Sequence, residues 1–369
     1  MYLNINFPTQ IVSGIDCVSK SGALITKLGA KKAFIVTGKS GAKKSGALDD
    51  VTNLLVLLGM EYEIFDEISE NPPLLVSHRA GRICREKSCD LIIGIGGGSA
   101  LDASKAVAVF AANDIEPMDS YNPEKCKGAL PIIAIPTTAG TGSEANSYAV
   151  MTLPTGEQKK TIKYPFTYPK LALVDPKYTY SLDKEYTIST ALDAFAHAIE
   201  SYLSPNSTLF SEQYALFAAK NIIEILKERP DTFSEEAREK LAYASCAAGA
   251  AISVTGTGFP HPMGYSLTLL DGIPHGMACA VFEGEYIALN MKTEKGKAKL
   301  NVFFSLLGTS ETELSELLTS LANIKFSFTE EEIIKRVDLI KNAGNYANSP
   351  YVLSDCEKYE IYRKLFTNK

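Results

Sequence analysis

The chain carries no surplus of positive charge: 37 Lys and Arg stand against 43 Asp and Glu, a formal net charge of −6. That balance gives no electrostatic reason to expect nucleic acid or an anionic membrane as partner. The densest basic group, Lys292 to Lys299, is short and interrupted, as a solvated face would be. No apolar run reaches the length of a membrane span. The opening Met1-Tyr-Leu-Asn-Ile-Asn-Phe-Pro lacks the basic and apolar regions of a signal peptide. The seven cysteines, an odd number without paired metal-ligand spacing, point to reduced thiols in a cytoplasmic protein. Histidine is scarcer still, at four in 369 residues.

What is present is ordinary globular material, 46% hydrophobic and 22% charged, in a chain long enough for roughly two domains. The first half alternates short apolar runs with helical patterns. Strands are expected at Ala33–Thr37, Tyr62–Phe65, Asp90–Ile95 and Ile132–Ile135, with helices over Leu48–Leu58, Leu74–Lys87 and Asp102–Ala111. Near-continuous apolar strands separated by helices indicate a parallel sheet covered on both faces. Beyond Ser181 the pattern turns to amphipathic helices, among them Tyr214–Leu226, Glu235–Ala251 and Glu330–Ala343. The expected division is an α/β domain over 1–182 and an all-helical domain over 183–369.

Two loops follow expected strands. Gly94-Ile-Gly-Gly-Gly-Ser99-Ala-Leu-Asp102 opens a helix, where glycine amides and the helix N-terminus suit a diphosphate. It is neither the Rossmann GxGxxG nor a Walker A loop, and a bare tight turn would read the same way. Pro136-Thr-Thr-Ala-Gly-Thr-Gly-Ser143 adds three threonine hydroxyls at the end of the next strand. Ligands of open α/β sheets lie outside the carboxyl ends of strands, so the two loops together favour phosphate binding.

Three of the four histidines join a carboxylate in a second constellation. Asp193 and His197 stand four apart on an expected helix and so share one face. His261 and His275 follow in glycine-flanked contexts. Any one of the four could be an ordinary polar residue; as a set they suit a catalytic divalent iron or zinc. Glu200, one turn further along the helix, is either a partner for an imidazole or a solvated glutamate.

With these motifs assembled, the chain resembles the iron-dependent (group III) alcohol dehydrogenases, in particular the shorter bacterial members. The resemblance rests on the GGGS loop at Gly96 with Asp102, the PTT-x-GTGSE loop at Pro136, the D-x-x-x-H helix at Asp193 and the histidine segments at His261 and His275. It implies a Rossmann-like N-terminal domain and an all-α C-terminal domain, as in dehydroquinate synthase-like proteins. It implies that Asp193, His197, His261 and His275 hold Fe²⁺, or Zn²⁺, in a cleft between the domains. It also implies that Gly97, Gly98, Ser99 and Asp102 meet the cofactor diphosphate and that Thr137, Thr138 and Thr141 flank it. Asn71 and Lys159 look like further cofactor contacts. A homodimer acting on a small primary alcohol or aldehyde is the corresponding expectation.

Two departures from the family pattern are informative. Many members carry an aspartate after the first strand that repels a 2′-phosphate; here Gly38-Lys39-Ser40 stands there, which favours NADP(H) unless Lys39 is only a turn lysine. Relatives also carry a histidine four residues after the third ligand; here it is Tyr265, either an altered proton relay or a pocket wall. Phe259 and Tyr265 are expected pocket walls, and Phe195 either a third wall or core. The segment Thr255–His275 contains no lysine or arginine, which argues against a strongly anionic substrate. The rival readings are a zinc glycerol dehydrogenase, a dehydroquinate synthase-like lyase, a specialised aldehyde reductase and a non-catalytic metal- and nucleotide-binding sensor.

Overall fold

A computed structural model describes residues 7–367; the first six residues of the segment read above for a signal peptide lie outside it. In the first half the strands are β1 (Gln10–Ser13), β2 (Lys32–Thr37), β3 (Glu61–Phe65), β4 (Leu91–Gly96), β5 (Ile132–Pro136), β6 (Tyr148–Thr152), β7 (Lys159–Lys163) and β8 (Leu171–Val174). Short helices α1 (Cys17–Lys20), α2 (Gly22–Lys27) and α3 (Gly41–Lys44) accompany the longer α4 (Ala47–Leu57), α5 (Leu74–Glu86) and α6 (Gly98–Ala112). Six strands form one sheet in the order β1-β8-β5-β4-β2-β3, every neighbouring pair parallel. The remaining two, β6 and β7, form an antiparallel hairpin.

Burial on both faces explains why the central strands β2, β4 and β5 are nearly continuous in apolar residues. Ala33, Ile35, Ile93, Ile95, Ile133 and Ile135 join a core with Val51, Leu54 and Leu55 of α4. Their neighbours Phe34, Val36, Ile92 and Ile132 point the other way, into a core with Ala80 and Cys84 of α5 and Val107 and Ala108 of α6. Both faces are therefore buried, and a polar residue on either would lie among apolar side chains.

The second half is helical: α7 (Lys184–Leu203), α8 (Leu209–Lys227), α9 (Glu235–Thr255), α10 (Pro260–Asp271), α11 (His275–Asn290), α12 (Glu294–Leu307), α13 (Glu311–Ala322), α14 (Glu330–Ile340) and α15 (Asp355–Phe366). By its internal contacts the chain divides into two units. One contains the described residues up to Asp183 together with Phe233–Gly249; the other contains Lys184–Thr232 and the residues from Ala250 onward. The division thus falls within α9, and Phe233–Gly249, which the sequence pattern groups with the helical half, packs in the α/β unit. Phe195, buried edge-on against Phe303, and Phe259, buried edge-on against Tyr286, are core residues of the second unit. Among the described residues no helix is long and apolar enough to cross a membrane.

Candidate metal centre and cofactor loops

In the α/β unit, β2, β4 and β5 lie side by side, with Thr37 opposite Ile95 and Gly96 opposite Pro136. Their parallel direction brings Gly38-Lys39-Ser40, the Gly96–Ser99 turn and the Pro136–Ser143 loop to the same edge of the sheet. The last two loops touch. A Cβ built on Gly98 would meet Thr141 Cγ2 at 2.3 Å, and one on Gly97 would meet Thr138 Cγ2 at 3.1 Å. Both positions therefore need glycine for close packing, with α6 beginning at Gly98. Thr137, also buried, donates its amide to the Gly96 carbonyl at 2.9 Å.

Asp102 binds the two loops together. Its Oδ1 accepts from Ser143 Oγ at 2.5 Å and its Oδ2 from the Val150 amide at 2.8 Å. Beside it the fully buried Lys105 donates to Ser143 Oγ (2.6 Å), Asn146 Oδ1 (3.2 Å) and the Tyr148 carbonyl (2.7 Å). Burial pulls the Lys105 ammonium down to about 8, against the raising influence of Asp102 and Glu144. The sequence reading missed Lys105; its i, i+3 spacing from Asp102 was the available signal. Lys39 and Ser40 are exposed after β2. Asn71 adopts a left-handed turn (φ 51°) before Pro72 and accepts from Thr152 Oγ1 at 2.9 Å. Lys159 opens β7, and its charge lowers the affinity of Asp102 for a proton.

The second unit assembles the histidine constellation. Asp193 and His197 lie one turn apart on α7; His261 sits in the first turn of α10, and His275 begins α11. Gly276 sets the distance between α11 and α7, since a Cβ there would meet the Ser189 carbonyl at 1.7 Å. From Asp193 Oδ1, the Nε2 atoms of His197, His261 and His275 stand at 4.0, 3.7 and 3.8 Å. The His197 and His261 rings stack at 4.5 Å, and His261 meets His275 edge-on at 5.5 Å. Tyr265 stacks on His275 with centroids 5.5 Å apart. The fourth histidine, His78, is elsewhere, with Nε2 3.1 Å from the Ile115 carbonyl.

Those separations are too long for hydrogen bonds. They fall below the roughly 4.2 Å that can separate two donors each about 2.1 Å from one ion. Asp193 Oδ1 and His261 Nε2 are buried and make no hydrogen bond among the described residues, so two strong polar atoms aim at the same point unsatisfied. Burial alone would raise the Asp193 carboxyl, but His197, His261 and His275 outweigh it and hold the group well below the usual carboxylate range. Burial depresses His261, yet Glu200 and Asp193 drive it up to about 9. A cation in place of that extra proton would satisfy the same carboxylates. By these tests the donor set fits a divalent metal.

Glu200 lies behind the donors. It is fully buried, its Oε1 2.7 Å from His261 Nδ1 and its Oε2 accepting from the Gly258 amide. The imidazole is thereby held with Nε2 facing the centre. Glu283 and Tyr286, also buried, lie close enough to Glu200 for its charge to raise both groups further above their ordinary range than burial already does. Cys279, one turn after His275, places Sγ 3.7 Å from His275 Nε2. The sequence reading missed it, although its spacing from His275 matches that of His197 from Asp193.

Comparison with known proteins covers both units. The model of the iron-containing alcohol dehydrogenase family matches residues 8–176, and that of the Fe-containing alcohol dehydrogenase family C-terminal region matches 187–338. The NADPH-dependent butanol dehydrogenase of Clostridium saccharobutylicum is 30% identical over 339 residues, covering 86% of each chain. The NAD-dependent methanol dehydrogenase of Bacillus methanolicus is 32% identical over 300 residues, 79% of this chain and 77% of that one. In structure, an iron-containing alcohol dehydrogenase of Thermotoga maritima superposes with a TM-score of 0.91 at 38% identity, covering 98% of this chain and 99% of its own. Sulfoacetaldehyde reductase of Bifidobacterium kashiwanohense, in complex with NAD⁺, reaches 0.88 at 29% identity with both chains fully covered.

Proposed function

The chain belongs to the iron-containing alcohol dehydrogenase family, and from that premise we propose that it moves hydride between NADP(H) and a small primary alcohol or aldehyde. The family is one of metal-using, NAD(P)-dependent oxidoreductases; the preference for NADP(H) and the substrate class are our inference. The observation that carries the reading is the convergence of His197, His261 and His275 on one buried carboxylate oxygen of Asp193.

A divalent iron or zinc ion, when bound, supplies Lewis-acid polarisation of the substrate oxygen. The protein's own residues do the rest. Asp193, His197, His261 and His275 provide the donors, and Glu200 fixes the His261 tautomer so that its Nε2 lone pair faces inward. Gly97, Gly98 and Ser99, at the positive end of α6, offer backbone amides to the cofactor diphosphate. Thr137, Thr138 and Thr141 present hydroxyls beside it, with Asn71 and Lys159 as outer contacts. Asp102, whose two oxygens already accept from Ser143 and Val150, acts by holding the loops in register.

Lys39 and Ser40 stand where a 2′-phosphate needs a cation and a hydroxyl, and their exposure leaves them available for it. Named relatives include both an NADPH-dependent and an NAD-dependent enzyme, so the choice rests on these residues. Tyr265, stacked on His275, walls the substrate pocket in this reading. The lack of lysine and arginine over Thr255–His275 favours an uncharged substrate. A homodimer follows from the family resemblance, and a cytoplasmic setting accords with seven free thiols.

The test of cofactor and substrate is oxidation of NADPH and of NADH with butanal, on protein reconstituted anaerobically with Fe²⁺. NADPH is expected to give the higher kcat/KM, by at least about tenfold, and Lys39→Ala to narrow that ratio by a similar factor. An NADH preference, or a ratio unmoved by Lys39→Ala, would overturn the cofactor assignment.

A further inference from the structure

One close set of donor atoms in the second unit differs from the set the motifs name. Single donor atoms of Asp193, His261, His275 and Cys279 all lie within 4.8 Å of one another. His197 stands beside that set, its Nε2 at 4.0 Å making the longest of the three imidazole contacts to Asp193 Oδ1. Cys279 is wholly buried on α11, one turn beyond His275, with Sγ 3.7 Å from His275 Nε2 and 3.9 Å from Nδ1. The helix therefore carries two donors on one face, as α7 does with Asp193 and His197.

A second observation marks this place as a ligand site rather than a chance thiol. Asp193 Oδ1 and His261 Nε2, both buried, face into the same set and make no hydrogen bond among the described residues. Four donors about 2.0–2.3 Å from a tetrahedral ion stand roughly 3.3–3.8 Å apart.

We propose that Cys279 is a ligand of this metal centre, completing with Asp193, His261 and His275 a second four-donor set that selects zinc over ferrous iron. The proposal rests on the reading of this site as a metal centre. A thiolate is a soft donor, and exchanging imidazole for it shifts the site toward zinc and cobalt(II). On binding, the thiol proton leaves to solvent and the sulfur lone pair is donated to the metal. Asp193, His261 and His275 serve both sets, and the fourth donor is Cys279 in one and His197 in the other.

Cobalt(II) distinguishes the two. Loaded into the full-length protein, it gives visible d–d bands from any nitrogen and oxygen donor set, whereas a strong near-ultraviolet sulfur-to-cobalt charge-transfer band requires a thiolate ligand. Both are expected in the unaltered protein. Cys279→Ser should lose the charge-transfer band and keep the d–d bands, and His197→Ala should keep both. In metal analysis after loading from an equimolar mixture, Cys279→Ser should lower the zinc-to-iron ratio by at least about tenfold. Bound cobalt with d–d bands and no charge-transfer band in the unaltered protein would overturn the proposal and leave the metal centre standing. Failure to bind cobalt at all would overturn both.

Discussion

Glu200 reaches the candidate metal centre through its hydrogen bond to His261. Holding His261 Nδ1 at 2.7 Å, it fixes which nitrogen is free to donate to a metal. Replacing it with glutamine keeps the size and removes the charge, and should weaken Zn²⁺ binding by about 10–100-fold in a competition with a chromogenic chelator. Unchanged affinity would show that the contact is only packing. Gly98 is held to glycine by the close approach of Thr141. Gly98→Ala sets a methyl 2.3 Å from Thr141 Cγ2 and should raise the dissociation constant for NADP(H) at least about tenfold, measured by cofactor fluorescence. Adding Thr141→Ser removes that methyl group and should restore part of the affinity; no recovery would place the damage in the backbone instead. At this scale the sequence was most readable where chemistry restricts residue type. Histidine is rare enough for three of four to be conspicuous, and a GGGS turn has few structural uses. Glu200 could be singled out but not distinguished from a solvated glutamate, because burial depends on α10, which the α7 sequence does not record. Cys279 has ordinary helical neighbours, and only its proximity to His261 and Asp193 gives it meaning.

Elements were legible in proportion to their periodicity. The runs that became β2, β4 and β5 are apolar at nearly every position because both faces are covered, and α5, α8 and α14 show regular apolar faces. Leu171–Val174 is too short to stand out, yet it becomes β8, paired with both β1 and β5. The β6–β7 hairpin is largely polar and offers little contrast. The placement of Phe233–Gly249 in the α/β unit could not be read from its own helical pattern. It depends on a backbone contact: a Cβ on Gly249 of α9 would lie 2.1 Å from the Gly142 carbonyl. The same packing buries Glu144 of the second loop against Cys246, and burial lifts its carboxyl to about 7, above an ordinary value of 4.5. A carboxyl with a raised folded-state pKa stabilises the fold fully below the unfolded value and loses that contribution as pH rises through the folded one. The contribution of Glu144 is therefore present below about pH 4.5 and lost toward pH 7, a difference on the order of 3 kcal/mol for a shift of this size. Glu144→Gln should be relatively more stable at pH 8 than at pH 5 when compared with the unaltered protein by thermal unfolding. An equal difference at both values would show that Glu144 is ionised throughout.

Across the whole molecule the proposed chemistry is divided by unit: the glycine- and threonine-rich loops assigned to the cofactor lie in the α/β unit, and the carboxylate and histidines assigned to the metal lie in the helical one. Composition was informative here mainly by exclusion. A net charge of −6 and the absence of lysine and arginine near His261 turn attention from polyanions to small uncharged substrates. Metal binding to a folded-state site also adds to stability, by about 2.7 kcal/mol at a free concentration of one hundred times Kd. Loading the metal-free protein with Zn²⁺ should accordingly raise its unfolding midpoint, and Asp193→Asn should abolish the rise. The central claim is that one metal ion, held by Asp193 and its histidines, enables NADP(H)-linked reduction. Its most direct test is the rate of NADPH oxidation with butanal as Fe²⁺ is titrated anaerobically into metal-free protein. Activity is expected to rise to a plateau at one equivalent per chain and to be absent in Asp193→Asn at every point. Activity independent of added metal, or retained in Asp193→Asn, would contradict it.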